Sequence, residues 1–265
     1  MSTPILPHQD AVLAIIRRVR EMLMPHYGTV SFKGKDSGRK HDFVTDLDFA
    51  IEKFLKEELA RLYSDIAFVG EETGGNRNAE RFWLVDPIDG TDHFIRGLPF
   101  CTTMLALIEK GDVTFSVIYD FVNDVMYTAE KDGGAFANGT PIHVNSRPLA
   151  GSRITWDFRL DTPEHIQKFL WLSERCIPFD TGASGFAFPM VACGKLDGRI
   201  CIDGGKDYDY APGALLVSEA GGVVANIGKS TYDYTNLSLI ATNPALFKEL
   251  TEGPEALFPI SPHRQ

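Results

Sequence analysis

A chain of 265 residues is long enough for one domain or two. Hydrophobic residues make up 44% and charged residues 23%, the balance of a folded globular protein and not of a disordered or fibrous one. The 26 basic and 36 acidic side chains sum to −10, which argues against a nucleic-acid or anionic-membrane partner and leaves carboxylates free to bind cations.

The first ten residues show no basic stretch followed by an apolar one, and no apolar run nears the ~18 residues of a membrane span. A cytoplasmic protein is expected. Cys101, Cys176, Cys193 and Cys201 form no C-x-x-C pair and read as reduced, buried thiols.

Apolar residues recur at helical spacing from His8 to Met24, and Pro25 stops that helix. Phe32 to Asp42 is polar with two glycines, a loop or loose hairpin. A second helix starts near Thr45. Ile66 to Val69 and Arg81 to Val85 read as strands, the latter bounded by Asp86-Pro87. Cys101 to Ile108 and Val113 to Tyr119 form a hairpin, and Val125 to Ala129 extends the antiparallel set. Gly133 to Gly139 (GGAFANG) reads as turn material.

Beyond Pro148, strands and helices alternate. Strands are expected at Arg153 to Trp156, Cys176 to Phe179, Gly198 to Ile202, Val223 to Asn226 and Ser238 to Ala241. Helices are expected at Pro163 to Trp171, Ser184 to Cys193, Tyr210 to Ala220 and Pro244 to Leu250. This predicts two subdomains sharing an interface, residues 1–147 and 148–265. The first would carry most of the site, and the second would supply Asp209 and substrate contacts.

Three acidic segments carry the chemistry. In Trp83 to Phe94 (WLVDPIDGTDHF), Pro87 turns the chain so that Asp89 returns beside Asp86. Two carboxylates and the Ile88 carbonyl make an all-oxygen site suited to Mg²⁺. Gly90 and Thr91 then open a helix whose free N–H groups suit an anion. The same segment also fits a plain strand-turn-helix junction with Asp89 as a cap. Glu71-Glu72 ends a short strand, where acids either point into a site or are solvated. Asp209 precedes an apolar helix and reads equally as a cap or a ligand.

Taken together, Glu71-Glu72, D-P-I-D-G-T at Asp86 to Thr91, and Asp209 leading into A-P-G-A-L-L-V-S-E-A-G-G resemble the inositol monophosphatase family. The GGAFANG segment is also similar to that family's glycine-rich turn. The resemblance runs from about Phe32 to Asn243. It implies an α+β fold, a layered αβαβα sandwich, antiparallel-rich in the N-terminal half and α/β in the C-terminal half. It implies a magnesium-dependent, lithium-sensitive phosphatase of a small phosphorylated metabolite, working as a homodimer with two or three Mg²⁺.

By that resemblance, Glu71 would bind the first metal and help orient the attacking water. Asp86 would bridge metals, the Ile88 carbonyl would complete the first site, and Asp89 and Asp209 would bind the second. Gly90 and Thr91 would present N–H groups to the phosphate. Asp46 would polarise the Thr91 hydroxyl. Lys35 would be the loop lysine, with Lys33 or Lys40 as alternatives, and Gly182, Ala183 and Ser184 would form a small-residue turn beside the substrate.

The chain departs from the family pattern in two places. Asp92 and His93 stand where the family has a variable residue and Asn. The position of an expected substrate-binding acid holds Ile202, with Asp203 one residue away. Phe94 to Pro99 also looks like the histidinol-phosphate phosphatase branch. Histidinol phosphate and fructose 1,6-bisphosphate are therefore rival substrates. A catalytically silent metal- or polyol-binding protein is the rival of another class, and every mapped ligand position carrying an acid counts against it. Neither G-x-G-x-x-G nor a Walker A pattern is present.

Overall fold

The computed structural model describes Leu6, residues 8–34 and residues 43–260. Helix α1 (Gln9–Leu23) buries Val12, Ile15, Ile16, Val19 and Leu23, the stripe its periodicity predicts. A short 3₁₀ turn at Met24–His26 follows, with Pro25 at its start. Strands β1 (Lys33–Gly34) and β2 (Phe43–Val44) pair antiparallel on either side of residues 35–42, so the described flanks form the hairpin option.

Helix α2 (Asp46–Leu62) opens on a capping box. The Thr45 hydroxyl accepts from the helix start, and Asp48 accepts from the Thr45 N–H at 2.7 Å. Strands β3 (Ala67–Gly70), β4 (Gly74–Gly75), β5 (Arg81–Asp89), β6 (Thr102–Glu109), β7 (Asp112–Asp120), β8 (Val125–Glu130), β9 (Gly134–Ala137) and β10 (Thr140–Pro141) form one sheet in the order β10-β9-β8-β7-β6-β5-β3-β4. All neighbours are antiparallel except β3 and β5.

Two expectations change here. The GGAFANG segment is not only turn: Gly134–Ala137 is strand β9, paired with β8. β5 does not stop at Asp86. It runs to Asp89 through a register shift between Asp86 and Asp89, because Pro87 cannot donate to the ladder. The Thr103 hydroxyl donates to the Pro87 carbonyl at 2.8 Å and pins the bulge.

A short helix α3 (Thr91–Arg96) follows β5. The C-terminal half adds β11 (Arg153–Asp157), α4 (Pro163–Arg175), β12 (Ile177–Pro178), α5 (Ser184–Ala192), β13 (Gly198–Ile202), α6 (Asp207–Glu219), β14 (Val223–Asn226), β15 (Ser238–Thr242) and α7 (Pro244–Thr251). Its five strands lie in the order β12-β11-β13-β15-β14. Helix α6 starts three residues earlier than its apolar run suggests, with Asp209 in its first turn.

The cores define the layers. Helices α1 and α2 cover one face of the large sheet, packing Ile16, Val19, Ile51 and Leu55 on Trp83, Val85, Leu105 and Val117. Helices α5 and α6 lie between the sheets, touching Met104 and Ile118 on one side and Cys201 and Leu239 on the other. Helices α4 and α7 cover the outer face of the small sheet, with Leu172, Leu246 and Leu250 against Ile154, Ile200 and Ile240. The result is the expected α+β sandwich in the layer order αβαβα. All four cysteines are free. Cys193 is half-buried and the others are buried.

Candidate active site

The bulge in β5 aims two carboxylates at one point. Asp86 and Asp89 are 2% and 6% exposed. Asp209 reaches them from α6, and ligand oxygens of the three lie within 4.8 Å of one another. Glu71 leaves the end of β3, its N–H bonded to the Val85 carbonyl at 3.0 Å, and its charge bears on all three.

Crowding and burial shift these acids. Burial first, then Glu71, Asp89 and Asp209, push Asp86 well above the usual carboxylate range. Asp209 is raised likewise by burial and its neighbours. Asp89 is pushed up to about 6 by burial, held back by N–H groups of Gly185 and Ser184 and by Arg199. The crowding of Asp86, Asp89 and Asp209 favours a counter-charge among them. Asp86 Oδ1 is also buried with no hydrogen-bond partner among the described residues. An orphaned carboxylate oxygen within an all-oxygen donor set fits a hard divalent cation.

Gly90 caps α3 with φ 79°, and a Cβ there would lie 2.4 Å from the Phe100 carbonyl. The Thr91 hydroxyl lies 2.9 Å from the Ile88 carbonyl and 3.2 Å from Asp48 Oδ1.

That last contact corrects the assignment of Asp46. Asp46 is solvent-exposed, 3.8 Å from Lys33 Nζ. Asp48 is buried, and its Oδ2 accepts from the Thr45 N–H and hydroxyl, both at 2.7 Å. The Thr45-x-x-Asp48 capping box is the sequence signal that marks it. Lys35 and Lys40 lie outside the described residues.

Asp203 is also corrected. It sits at φ 50°, exposed, with Oδ1 accepting from the Ser238 hydroxyl at 3.2 Å, and it does not line the cavity. Asp92 is held by Arg96, whose Nε is 3.0 Å from both its oxygens, on the solvent side of α3. His93 packs edge-on against Phe100 and sits where a Gly182 side chain would fall.

A cavity of about 220 Å³ adjoins Asp89 and Asp209. Gly182, Ala183 and Ser184 line it. Trp156, Asp157 and Arg199 line it too, and none carries a local sequence signal. Glu52 on α2 was also missed. Its buried carboxylate accepts from the Glu72 N–H at 2.7 Å, the Thr73 N–H at 2.9 Å and the Thr73 hydroxyl, fixing the turn that carries Glu71.

Comparison with known proteins agrees with this geometry. The model of the inositol monophosphatase family matches residues 8–254. The Nus factor SuhB of Pasteurella multocida is 32% identical over 218 residues, 79% of this chain and 81% of that protein. Inositol monophosphatase 1 of Solanum lycopersicum is 32% identical over 225 residues, 80% and 82% of the two chains. The solved structure of a Thermotoga maritima IMPase superposes with a TM-score of 0.84 at 27% identity, covering 91% of this chain and 94% of that one. The acid cluster, the bulged strand that aims it and the match along nearly the whole chain lead to one assignment: the protein belongs to the inositol monophosphatase family.

Proposed function

We propose that the protein hydrolyses the phosphate monoester of a small metabolite with the help of Mg²⁺. The observation that carries this reading is the trio of buried Asp86 and Asp89 with half-buried Asp209, with an orphaned oxygen and Glu71 adjoining. Glu71, Asp86, Asp89, Asp209 and the Ile88 carbonyl would hold two or three ions. Bound there, Mg²⁺ supplies Lewis-acid stabilisation of the phosphoryl oxygens and lowers the pKa of water.

The chain's own groups do the rest. N–H groups of Gly90 and Thr91 at the start of α3 receive phosphate oxygens. The Thr91 hydroxyl, turned toward Asp48, accepts a hydrogen bond from the attacking water and orients it. Glu71 holds the same water from the opposite strand end. Protein dipoles replace bulk water around the reacting group, and the adjoining cavity takes the alcohol.

The test is a panel of inositol 1-phosphate, histidinol phosphate and fructose 1,6-bisphosphate, each assayed with Mg²⁺ and after chelation. Release of phosphate from one or more, abolished by chelation and reduced by millimolar lithium, is the expected result. A protein that binds Mg²⁺ or polyol but releases nothing would be the silent binding protein instead. A role of the kind the name Nus factor gives some relatives would rest on an outer surface. It would not need the acid cluster, whose presence favours catalysis.

A homodimer and a cytoplasmic location belong to the same reading, as does the lack of a nucleic-acid partner. Ile166, Leu170, Ile177 and Phe179 on α4 and beside the β12 edge are exposed and apolar, and a second copy would cover them. Light scattering reads the mass directly. No helix among the described residues is long and apolar enough to cross a membrane. Residues 1–147 would supply most ion ligands, and residues 148–265 Asp209 and the cavity.

A further inference from the structure

We propose that Asp157 is a specificity-determining residue, its carboxylate receiving a hydroxyl of the alcohol half of the substrate. This rests on the phosphatase reading above. With the phosphate at Gly90 and Thr91, the alcohol half projects into the cavity beside Asp89 and Asp209, and Asp157 forms part of that wall.

The wall is rigid. Arg199 is 2% exposed, and its guanidinium donates to Asp157 Oδ2 at 3.2 Å and to the Ser184 hydroxyl at 2.8 Å. The Tyr210 hydroxyl, on buried α6, donates to the same Oδ2 at 2.7 Å. Thr155 lies 3.4 Å from Arg199 Nη1, and the Phe188 ring lies 5.3 Å from the guanidinium carbon. One carboxylate oxygen is thus fixed by two donors. Among the described residues no hydrogen bond reaches the other, Oδ1, and the side chain is 29% exposed where it meets the cavity. A carboxylate with one oxygen anchored and one open is a preorganised acceptor.

Charge selects the donor. Arg199 offsets the charge of Asp157, and the open Oδ1 still accepts from a neutral hydroxyl. A second phosphate would meet Asp157 and Asp180, and Arg199, the one cation lining the cavity among the described residues, is committed. The geometry therefore suits a hydroxylated alcohol, a cyclitol or sugar, over a bisphosphate. Asp157 takes, from the end of β11, the role that the resemblance suggested for Asp203, which lies just beyond β13.

Gly204 supplies an independent probe. A Cβ there would fall 2.1 Å from Asp157 Oδ1 and 2.5 Å from the Asp157 carbonyl oxygen, so any side chain displaces the open oxygen together with the end of β11. Asp157→Asn keeps the shape and a hydrogen-bond acceptor for Arg199 and Tyr210 while removing the carboxylate charge.

The experiment measures kcat and KM of wild type, Asp157→Asn and Gly204→Ala. Substrates are inositol 1-phosphate, phosphoethanolamine and p-nitrophenyl phosphate, which has no hydroxyl. Both variants should raise KM for inositol 1-phosphate about tenfold, the worth of one charge-assisted hydrogen bond, and leave p-nitrophenyl phosphate turnover nearly unchanged. Thermal protection by free inositol, which needs no turnover, should weaken in both. Parallel loss on inositol 1-phosphate and p-nitrophenyl phosphate would overturn the proposal in favour of a structural role. Unchanged KM for inositol 1-phosphate, or a wild-type preference for phosphoethanolamine that Asp157→Asn removes, would overturn it too. If wild type releases phosphate from no substrate, the phosphatase reading fails as well, and that outcome is visible without any variant.

Discussion

Asp46 and Asp48 are two positions apart in the first turn of α2, so the helix sets them about 200° apart. One side must face solvent and the other the core. Asp48 takes the core side, where Thr45 and Thr91 surround it. Asp48→Asn should lower kcat by about 10- to 100-fold, as removing an outer partner of a site does, and cost about 1 kcal/mol of stability through the cap. Asp46→Asn should stay within about 0.5 kcal/mol of wild type and keep full rate. Steady-state kinetics and thermal melts on the two variants check this, and the opposite ranking would contradict it. Residues such as Asp86 and Asp89 are legible in the sequence because Pro87 between them cannot donate to the ladder and Gly90 after them takes a positive φ, which together mark an irregular segment. Asp157 and Arg199 are not. They meet because β11 and β13 pair in parallel with Thr155 beside Arg199, a register that no short motif encodes.

At the scale of elements, the site hangs on connections between α2, β3 and β5. The Glu52 carboxylate on α2 holds the turn after β3, and a Cβ on the neighbouring Gly70 would run into it. Glu52→Gln loses part of that clamp and should cost about 1–3 kcal/mol. It should also weaken Mg²⁺ affinity about 10- to 100-fold by loosening Glu71. Calorimetric titration with Mg²⁺ alone reads the affinity, and an unchanged value would show that Glu71 is placed by its own strand. Helices with a clear apolar stripe were readable from spacing, α1 above all. Strand β9 was not, because its glycines read as a turn while its pairing with β8 is long-range. The continuation of β5 past Pro87 was hidden for the same kind of reason: the bulge depends on Thr103 of the neighbouring strand.

At the scale of the whole molecule, the five-layer sandwich brings acids from both halves together, since α6 lies between the two sheets and carries Asp209 inward. The −10 charge is then not only surface. Asp86, Asp89 and Asp209 hold their protons to higher pH when folded than at their ordinary value of 3.8. Between that value and the raised ones, about 6 for Asp89, the folded chain binds more protons than the unfolded chain. Stability of the metal-free protein therefore falls as pH rises through this window. Mg²⁺ should relieve the repulsion, raising Tm more at pH 7.5 than at pH 5, where protons compete for the same oxygens. Melts in chelator and in Mg²⁺ at the two pH values check it, and an equal rise at both would place the ion elsewhere. The most direct test of the central claim is the initial rate of phosphate release against Mg²⁺ concentration, for wild type and Asp89→Asn. The account predicts no turnover without Mg²⁺, saturable activation by it, and a loss beyond about 100-fold in the variant, more than an outer partner would cause. Turnover that survives exhaustive chelation, or a variant with the wild-type rate, would contradict it.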